Sequence, residues 1–251
     1  MTRPVIVIAG SDSSGGAGLA RDVATITALG GSVRPVVTAV TAQTDGRVTA
    51  VERMPATLVA AQLEAALETG LVAGPAGAVK IGMLGGAQAV EAVAAVLAAW
   101  PRLPVVLDPV LASSSGVELL DPEGRDAMKQ ELLPLAEILT PNLPEAAQLT
   151  GLPAASTAAE IAAQARALQA LGPRAVLMKG GHAEGAEAVD RLFAADGSLR
   201  CFAAPRAPVS LRGTGCTLAS ALAAGLAAGQ APAAACKAAK AFVQGRLVQA
   251  G

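Results

Sequence analysis

Short runs of β-branched residues alternate along the chain with longer alanine-rich segments, and this alternation narrows the possible folds. It is typical of parallel strands joined by helices, because strands buried on both faces appear as continuous apolar runs. The 251 residues suffice for one large domain and are short for two. The sequence therefore predicts an α/β fold with a mostly parallel central sheet flanked by helices, in one domain over residues 1–251.

Strands are predicted where an apolar run ends in Gly, Pro or a polar residue, at residues 5–9, 34–40, 78–82, 105–109, 138–140, 175–179 and 191–194. Helices are predicted in the alanine-rich segments between them, at residues 17–28, 56–71, 87–99, 122–133, 143–149, 158–171, 215–228 and 232–249.

Composition excludes several classes of protein. Hydrophobic residues make up 53% of the chain, yet Gly, Pro or a charge interrupts every apolar stretch before the roughly 20 residues of a membrane span. The net charge of −1, the absence of a basic run and the scarcity of aromatic residues argue against a nucleic-acid partner. Three cysteines, Cys201, Cys216 and Cys236, have no paired spacing, and the start of the chain does not resemble a signal peptide. We therefore expect a cytoplasmic protein.

A glycine-rich turn, Arg212-Gly213-Thr214-Gly215-Cys216, precedes a predicted helix. Its amide N–H groups can point outward at the helix start, where unpaired donors and the helix dipole hold anions. The same field would favour a thiolate at Cys216. The turn predicts a phosphoryl-transfer site.

Other candidate residues also follow predicted strands, where open parallel sheets bind ligands. The small-residue loop 10–18 is interpreted either as a ligand loop or as a plain turn with a serine cap, and Asp22 behind it as a solvated residue. Asp108 either attracts a phosphate-bound Mg²⁺ or ends a strand. Asn142 and Glu145 form either a ligand site or a capping box, and the residues alone favour the capping box.

Two lysines and the single histidine complete the candidates. Lys179 after a buried strand is either a phosphate contact or a loop residue, and Lys80 either reaches a ligand or extends from the sheet towards solvent. We interpret His182 as a loop-packing residue, because nothing near it in the sequence resembles a catalytic triad.

Taken in chain order, a series of segments strongly resembles the hydroxymethylpyrimidine/phosphomethylpyrimidine kinases, thiamine-biosynthesis enzymes of the ribokinase superfamily. The segments are residues 9–18, 38–43, 79–84, 107–110, 140–145, 178–182 and 213–216. The resemblance covers nearly the whole chain. It implies a ribokinase-like three-layer sandwich, ATP and Mg²⁺ as cosubstrates, and two successive phosphorylations of 4-amino-5-hydroxymethyl-2-methylpyrimidine. It also suggests a homodimer.

The resemblance further implies a role for each candidate residue. Gly213, Thr214 and Gly215 would form the anion hole, and Cys216 would act as the base towards the substrate hydroxyl. The pyrimidine pocket would comprise Gln43, Gly10, Asp12, Gly18, Asp22 and Met83. Mg²⁺ and the phosphates would be held by Asp108, Asn142 and Glu145, partly through water, and Lys179 would face the nucleotide phosphates.

Three positions depart from the family's pattern. Arg212 stands where a histidine is frequent, the segment 44–48 after Gln43 has its glycine one position early, and Ser113 to Ser115 lack a lysine found in some members. The alternative functions are a pyridoxal kinase of the same superfamily and a non-catalytic pyrimidine- or phosphate-binding protein. Intact Cys216 beside an intact Gly-Thr-Gly argues against the latter.

Overall fold

Nine strands form one sheet in the computed structural model, which describes residues 3–73, 77–113, 116–181, 185–208 and 211–250. The strands are β1 Val5–Asp12, β2 Val33–Gln43, β3 Val48–Arg53, β4 Ala78–Ile81, β5 Val105–Leu107, β6 Ile138–Leu139, β7 Ala175–Met178, β8 Glu187–Phe193 and β9 Leu199–Pro205. Their order is β3-β2-β1-β4-β5-β6-β7-β8-β9. The central strands β2, β1, β4, β5, β6 and β7 run parallel to one another, and β3, β8 and β9 add antiparallel edges.

Helices cover both faces of the sheet. They are α1 Gly18–Ala28, α2 Ala56–Ala73, α3 Ala87–Ala98, α4 Pro122–Ala127, α5 Leu143–Thr150, α6 Ala158–Gln169, α7 Thr214–Ala227 and α8 Pro232–Ala250. Alternate residues of β1 face opposite layers, because Ile6 and Ile8 join the core under α2, α3, α5 and α6, while Val5 and Val7 join the core under α1, α7 and α8. These two cores on either side of one sheet confirm the predicted three-layer α/β sandwich. Within the described residues, no helix combines the length and the apolar character that crossing a membrane requires.

Two strands were not predicted, and both lie at edges of the sheet. Most residues of β3 and β9 are exposed, so their sequences lack the apolar runs that mark the central strands. Both pair antiparallel with a neighbour close in the chain. The predicted strand at 191–194 also begins earlier, at Glu187.

The predicted helix at 122–133 is wrong in its second half. It is α-helical only to Ala127, widens into a π-helical turn over Met128–Leu132 and ends in a 3₁₀ turn over Leu133–Leu135. Pro134 has no amide N–H to donate to the carbonyl four residues earlier, so the regular ladder cannot continue through it.

Candidate active site

A cavity of about 770 Å³ opens where the parallel strands end, beside β1, around which the strand order reverses. Ligands of open α/β sheets bind at such switch points. The candidate residues that line this cavity are Gly10, Asp12, Gly18, Gln43, Met83, Asp108, Asn142, Glu145, Lys179, Gly213, Thr214, Gly215 and Cys216. The structure therefore brings together motifs that are spread over the whole sequence.

The loop between β1 and α1 folds around the carboxylate of Asp12. This carboxylate accepts hydrogen bonds from the Ser14 amide and hydroxyl at 2.8 and 2.7 Å and from the Ala17 amide at 2.8 Å. Burial acts to raise the pKa of Asp12, but these hydrogen bonds and one from Gln43 bring it below the usual value. The N-cap residue Ala17 has no side-chain cap, so the interpretation of a serine as cap is wrong.

Glycines let this loop approach its neighbours closely. Gly18 has a φ of 56°, and a Cβ there would run into the carbonyl of Gly10. A Cβ on Gly10 would lie 2.8 Å from the Met83 sulfur. Gly18 therefore requires glycine, and the contact at Gly10 places Met83 directly against the loop.

The hairpin of β2 and β3 borders the same end of the cavity. The Ser13 hydroxyl donates to the Gln43 carbonyl at 2.9 Å and accepts from the Gln43 amide at 2.8 Å, so the first loop holds the end of β2. At the tip, the Thr44 amide donates to the Arg47 carbonyl at 2.9 Å. The Gln43 side chain hydrogen-bonds to the Asp12 carboxylate, so it lies against the first loop.

The glycine-rich turn forms the start of α7, as predicted. Gly213 is the N-cap with a φ of 71°, and a Cβ there would run into the carbonyl of Gly16. A Cβ on Gly215 would lie 3.4 Å from Lys179 Nζ and 3.6 Å from Asp108 Oδ2. The first-turn amides have no acceptors within the helix, and a lysine and an aspartate lie against the same turn.

Lys179 joins two carboxylates next to this turn. Its Nζ lies 2.7 Å from Asp108 Oδ1 and 3.6 Å from Glu145 Oε2. Burial opposes its charge, but the two carboxylates raise the pKa of Lys179 above its ordinary value. Asp108 follows the end of β5 and also binds the Lys179 ammonium. Its role is therefore not limited to ending the strand.

The predicted capping box is confirmed at the start of α5. Glu145 Oε2 accepts from the Asn142 amide at 2.7 Å, and Asn142 Oδ1 accepts from the Glu145 amide at 2.8 Å. Burial raises the pKa of Glu145, against the opposing effect of Lys179. Among the residues that the structure describes, no cluster of three or more His, Cys, Asp and Glu side chains can hold a metal ion by itself. A cation near Asp108 and Glu145 would therefore need ligands from a phosphate or water.

The surroundings of Cys216 favour the thiol over the thiolate, contrary to the sequence-based expectation. Burial raises its pKa to about 11; the Lys80 ammonium and the Gly18 amide oppose this rise, while the carboxylates of Asp22 and Asp108 add to it. Desolvation and two carboxylates therefore outweigh the field of the helix start.

A buried ion pair lies beneath this region. Lys80 Nζ is 2.7 Å from Asp22 Oδ2, both side chains are 0% exposed, and the Ser220 hydroxyl donates to Asp22 Oδ1 at 2.7 Å. The interpretation of Asp22 as solvated is wrong, and its side chain does not line the cavity. Lys80 also lines the cavity, but its side chain does not extend towards solvent, because its ammonium is paired with the Asp22 carboxylate.

Arg212 points towards the loop and the hairpin. Its guanidinium donates to Asp12, Ser14, the Thr44 carbonyl and Asp45. The structure places this cation between the first loop and the hairpin. The sequence signal was present only as an unusual residue before Gly213.

The far end of the cavity contains residues that the sequence did not suggest, namely Asp190, Pro205, Arg206, Lys240 and Gln244. Asp190 accepts from the Gly180 amide at 2.8 Å and pairs with Lys240 at 3.0 Å, so it fixes the backbone just after Lys179. No local motif marks these residues, which lie on β8, β9 and α8 and, for Arg206, directly after β9. His182, Ser114 and Ser115 lie outside the described residues.

Comparison with known proteins decides the family. The profile of phosphomethylpyrimidine kinase matches residues 12–250. The chain belongs to the phosphomethylpyrimidine kinase family. A hydroxymethylpyrimidine/phosphomethylpyrimidine kinase of Rhizobium meliloti is 44% identical over 243 residues, which are 97% of this chain and 90% of that protein. Other relatives at 40–44% identity are named for the same kinase or for thiamine biosynthesis.

Solved structures place this member of the family near two kinds of kinase. A crystal structure of phosphomethylpyrimidine kinase from Clostridium difficile has a TM-score of 0.82, is 36% identical and covers 99% of both chains. Pyridoxal kinase from Staphylococcus aureus, solved with pyridoxal and with AMP-PCP, has a TM-score of 0.86, is 32% identical and covers 97% of this chain and 87% of that one. The fold alone does not distinguish the two acceptors, whereas the family profile and the sequence identity favour the pyrimidine.

Proposed function

We propose that the protein phosphorylates 4-amino-5-hydroxymethyl-2-methylpyrimidine with ATP, first to the monophosphate and then to the diphosphate, in thiamine biosynthesis. The observation that carries this proposal is the joining, in one cavity, of the Gly213–Cys216 turn, the Asp108 and Lys179 pair and the Gln43 loop. Family membership and the names of the relatives support the acceptor and the pathway.

At the phosphoryl end, electrostatic stabilisation of the transferring group would be the main contribution to catalysis. In the transfer, the substrate hydroxyl oxygen forms a bond to the γ-phosphorus, and the bond from that phosphorus to the ADP oxygen breaks. The amides of Gly213, Thr214 and Gly215 would stabilise the charge on the transferring group, and Lys179 would neutralise the phosphates. These groups are held in place before the substrate binds, which makes their effect larger than in water.

The proton of the substrate hydroxyl is assigned to Cys216. Only the thiolate of Cys216 can accept this proton, so the thiol must first release its own proton to water, which a fall of its raised pKa on substrate binding would allow. The Lys80 ammonium already acts in that direction. At the acceptor end, the Gln43 amide offers both a donor and an acceptor to the aminopyrimidine edge, beside Met83 and the glycines of the first loop.

Magnesium would enter with ATP as part of the substrate. Mg²⁺ in such sites is bound by one or two carboxylates together with phosphate oxygens and water. Asp108 and Glu145 fit this donor set, since they lie at the anion turn and form no complete cage of their own. The family resemblance further supports a cytoplasmic homodimer, which size-exclusion chromatography with light scattering can check.

Chromatography of reactions with ATP and either the pyrimidine alcohol or its monophosphate tests the proposal. We expect both conversions, and failure to turn over either substrate would reject it. A non-catalytic binding protein would bind the pyrimidine alcohol and its monophosphate but would phosphorylate neither. The pyridoxal kinase alternative rests on the similarity to the Staphylococcus aureus enzyme and predicts faster turnover of pyridoxal.

A further inference from the structure

The guanidinium of Arg212 joins three segments that surround the acceptor end of the cavity. Nη1 lies 2.9 Å from Ser14 Oγ, 3.0 Å from the Thr44 carbonyl and 3.2 Å from Asp45 Oδ1, and Nη2 lies 3.4 Å from Asp12 Oδ2. The first loop and the tip of the hairpin therefore both bind to the residue that precedes the anion turn. In sequence, these contacts span up to 200 positions.

The partners of Arg212 differ in how firmly they can hold its guanidinium in place. Asp45 is 88% exposed, so its ion pair with Arg212 contributes little. The Asp12 carboxylate is buried and already bound to loop amides, and the Thr44 carbonyl belongs to the backbone of the hairpin. Arg212 thus mainly connects the first loop, which its own hydrogen bonds hold in place, to the hairpin backbone directly after Gln43.

We propose that Arg212 is a positioning residue that holds the tip of the β2 and β3 hairpin closed over the acceptor end and so fixes Gln43 relative to the Gly213–Cys216 turn. A guanidinium suits this task because its planar fork donates to several acceptors at once, which an ammonium cannot do in the same geometry. Ser13 also holds Gln43, but it reaches only the backbone of that residue and not the tip beyond it.

The kinetic part of the test compares Arg212→Ala with Arg47→Ala. Arg47 is an exposed arginine of the same hairpin, so its removal changes the charge equally without touching the link. For Arg212→Ala we expect KM for the pyrimidine alcohol to rise about 10-fold, as charge-assisted hydrogen bonds are lost, while KM for ATP changes less than about 2-fold. Arg47→Ala should leave both constants within about 2-fold of wild type.

The second readout is tryptic cleavage after Arg47 under native conditions, which needs no enzymatic activity. Arg212→Ala should speed this cleavage at least about 5-fold, because the hairpin tip opens more often. If Arg212→Ala does not fold, Arg212→Lys takes its place with smaller changes in the same direction. An unchanged cleavage rate, or KM values that rise together for both substrates, would overturn the proposal.

The kinetic readout rests on the proposed function, whereas the cleavage readout does not. If wild-type protein does not phosphorylate the pyrimidine, the proposed function fails, and the cleavage rate alone then decides the role of Arg212. Faster cleavage in Arg212→Ala would still support the link to the hairpin.

Discussion

Replacing Lys80 by Met should destabilise the protein strongly, although Lys80 contacts only a few groups. The side chains of Lys80 and Asp22 are both 0% exposed and lie 2.7 Å apart. Without the ammonium, the Asp22 carboxylate would keep only the Ser220 hydroxyl as a side-chain partner among the residues that the structure describes. Leaving one member of a buried pair unpaired costs about 3–5 kcal/mol, which is a large part of the roughly 5–15 kcal/mol that stabilises a typical protein.

Removing both charges should lower the free energy of unfolding far less than removing one. Lys80→Met with Asp22→Asn keeps the shape of both side chains and leaves no charge in the core, so we expect the double variant to lie within about 1.5 kcal/mol of wild type. An exposed pair gives the matched control. Lys129 and Asp126 are 2.6 Å apart but 31% and 64% exposed, so Lys129→Met should change the free energy of unfolding by at most about 0.5 kcal/mol.

Urea unfolding at pH 7.5, followed by far-UV circular dichroism, measures these differences, provided that the dependence on urea concentration stays the same. A loss below about 1 kcal/mol for Lys80→Met would refute the reasoning. So would a double variant whose destabilisation equals the sum of the losses in Lys80→Met and in the single variant Asp22→Asn, since the charges would then not be coupled.

Three further changes probe the phosphoryl end. In a Cys201→Ser background, alkylation of Cys216 by iodoacetamide should speed up about 10-fold per pH unit between pH 7 and 10, because its pKa is raised to about 11; a rate independent of pH above 7 would contradict this. Gly213→Ala should reduce kcat more than about 100-fold because its Cβ meets the Gly16 carbonyl at a φ of 71°, whereas Gly245→Ala, with open space, should leave kcat unchanged, as steady-state assays can show. Lys179→Met should lower kcat about 100-fold with a smaller effect on KM for the pyrimidine, and equal effects on both would argue against a phosphate contact.

The sequence predicted the centre of the fold better than its edges. The buried parallel strands have a local signature, an apolar run with a turn at its end, and each of them was found. The exposed strands β3 and β9 have no such run, because pairing with a neighbour and not burial determines their conformation. The π-helical turn before Pro134 likewise depends on a missing hydrogen bond that periodicity does not show.

The candidate site was predictable wherever a residue follows a strand. The parallel topology alone brings Asp108, Asn142 and Lys179 to the carboxyl-terminal edge of the sheet. Their proximity could therefore be predicted without knowing any side-chain contact. The pairing of Lys80 with Asp22, 58 residues away, could not, since it depends on how α1 packs over β1 and α7 beside β4. The pKa of Cys216 escaped prediction for the same reason, because burial and distant charges determine it.

The most direct test of the proposed function is a comparison of kcat/KM for the pyrimidine alcohol and for pyridoxal on the same preparation of the protein, with ATP and Mg²⁺ saturating. The account predicts the higher value for the pyrimidine alcohol, and a loss of this activity in Cys216→Ala with substrate binding largely retained. A higher kcat/KM for pyridoxal would contradict the acceptor assignment, and an undiminished kcat in Cys216→Ala would exclude the thiol as an essential base.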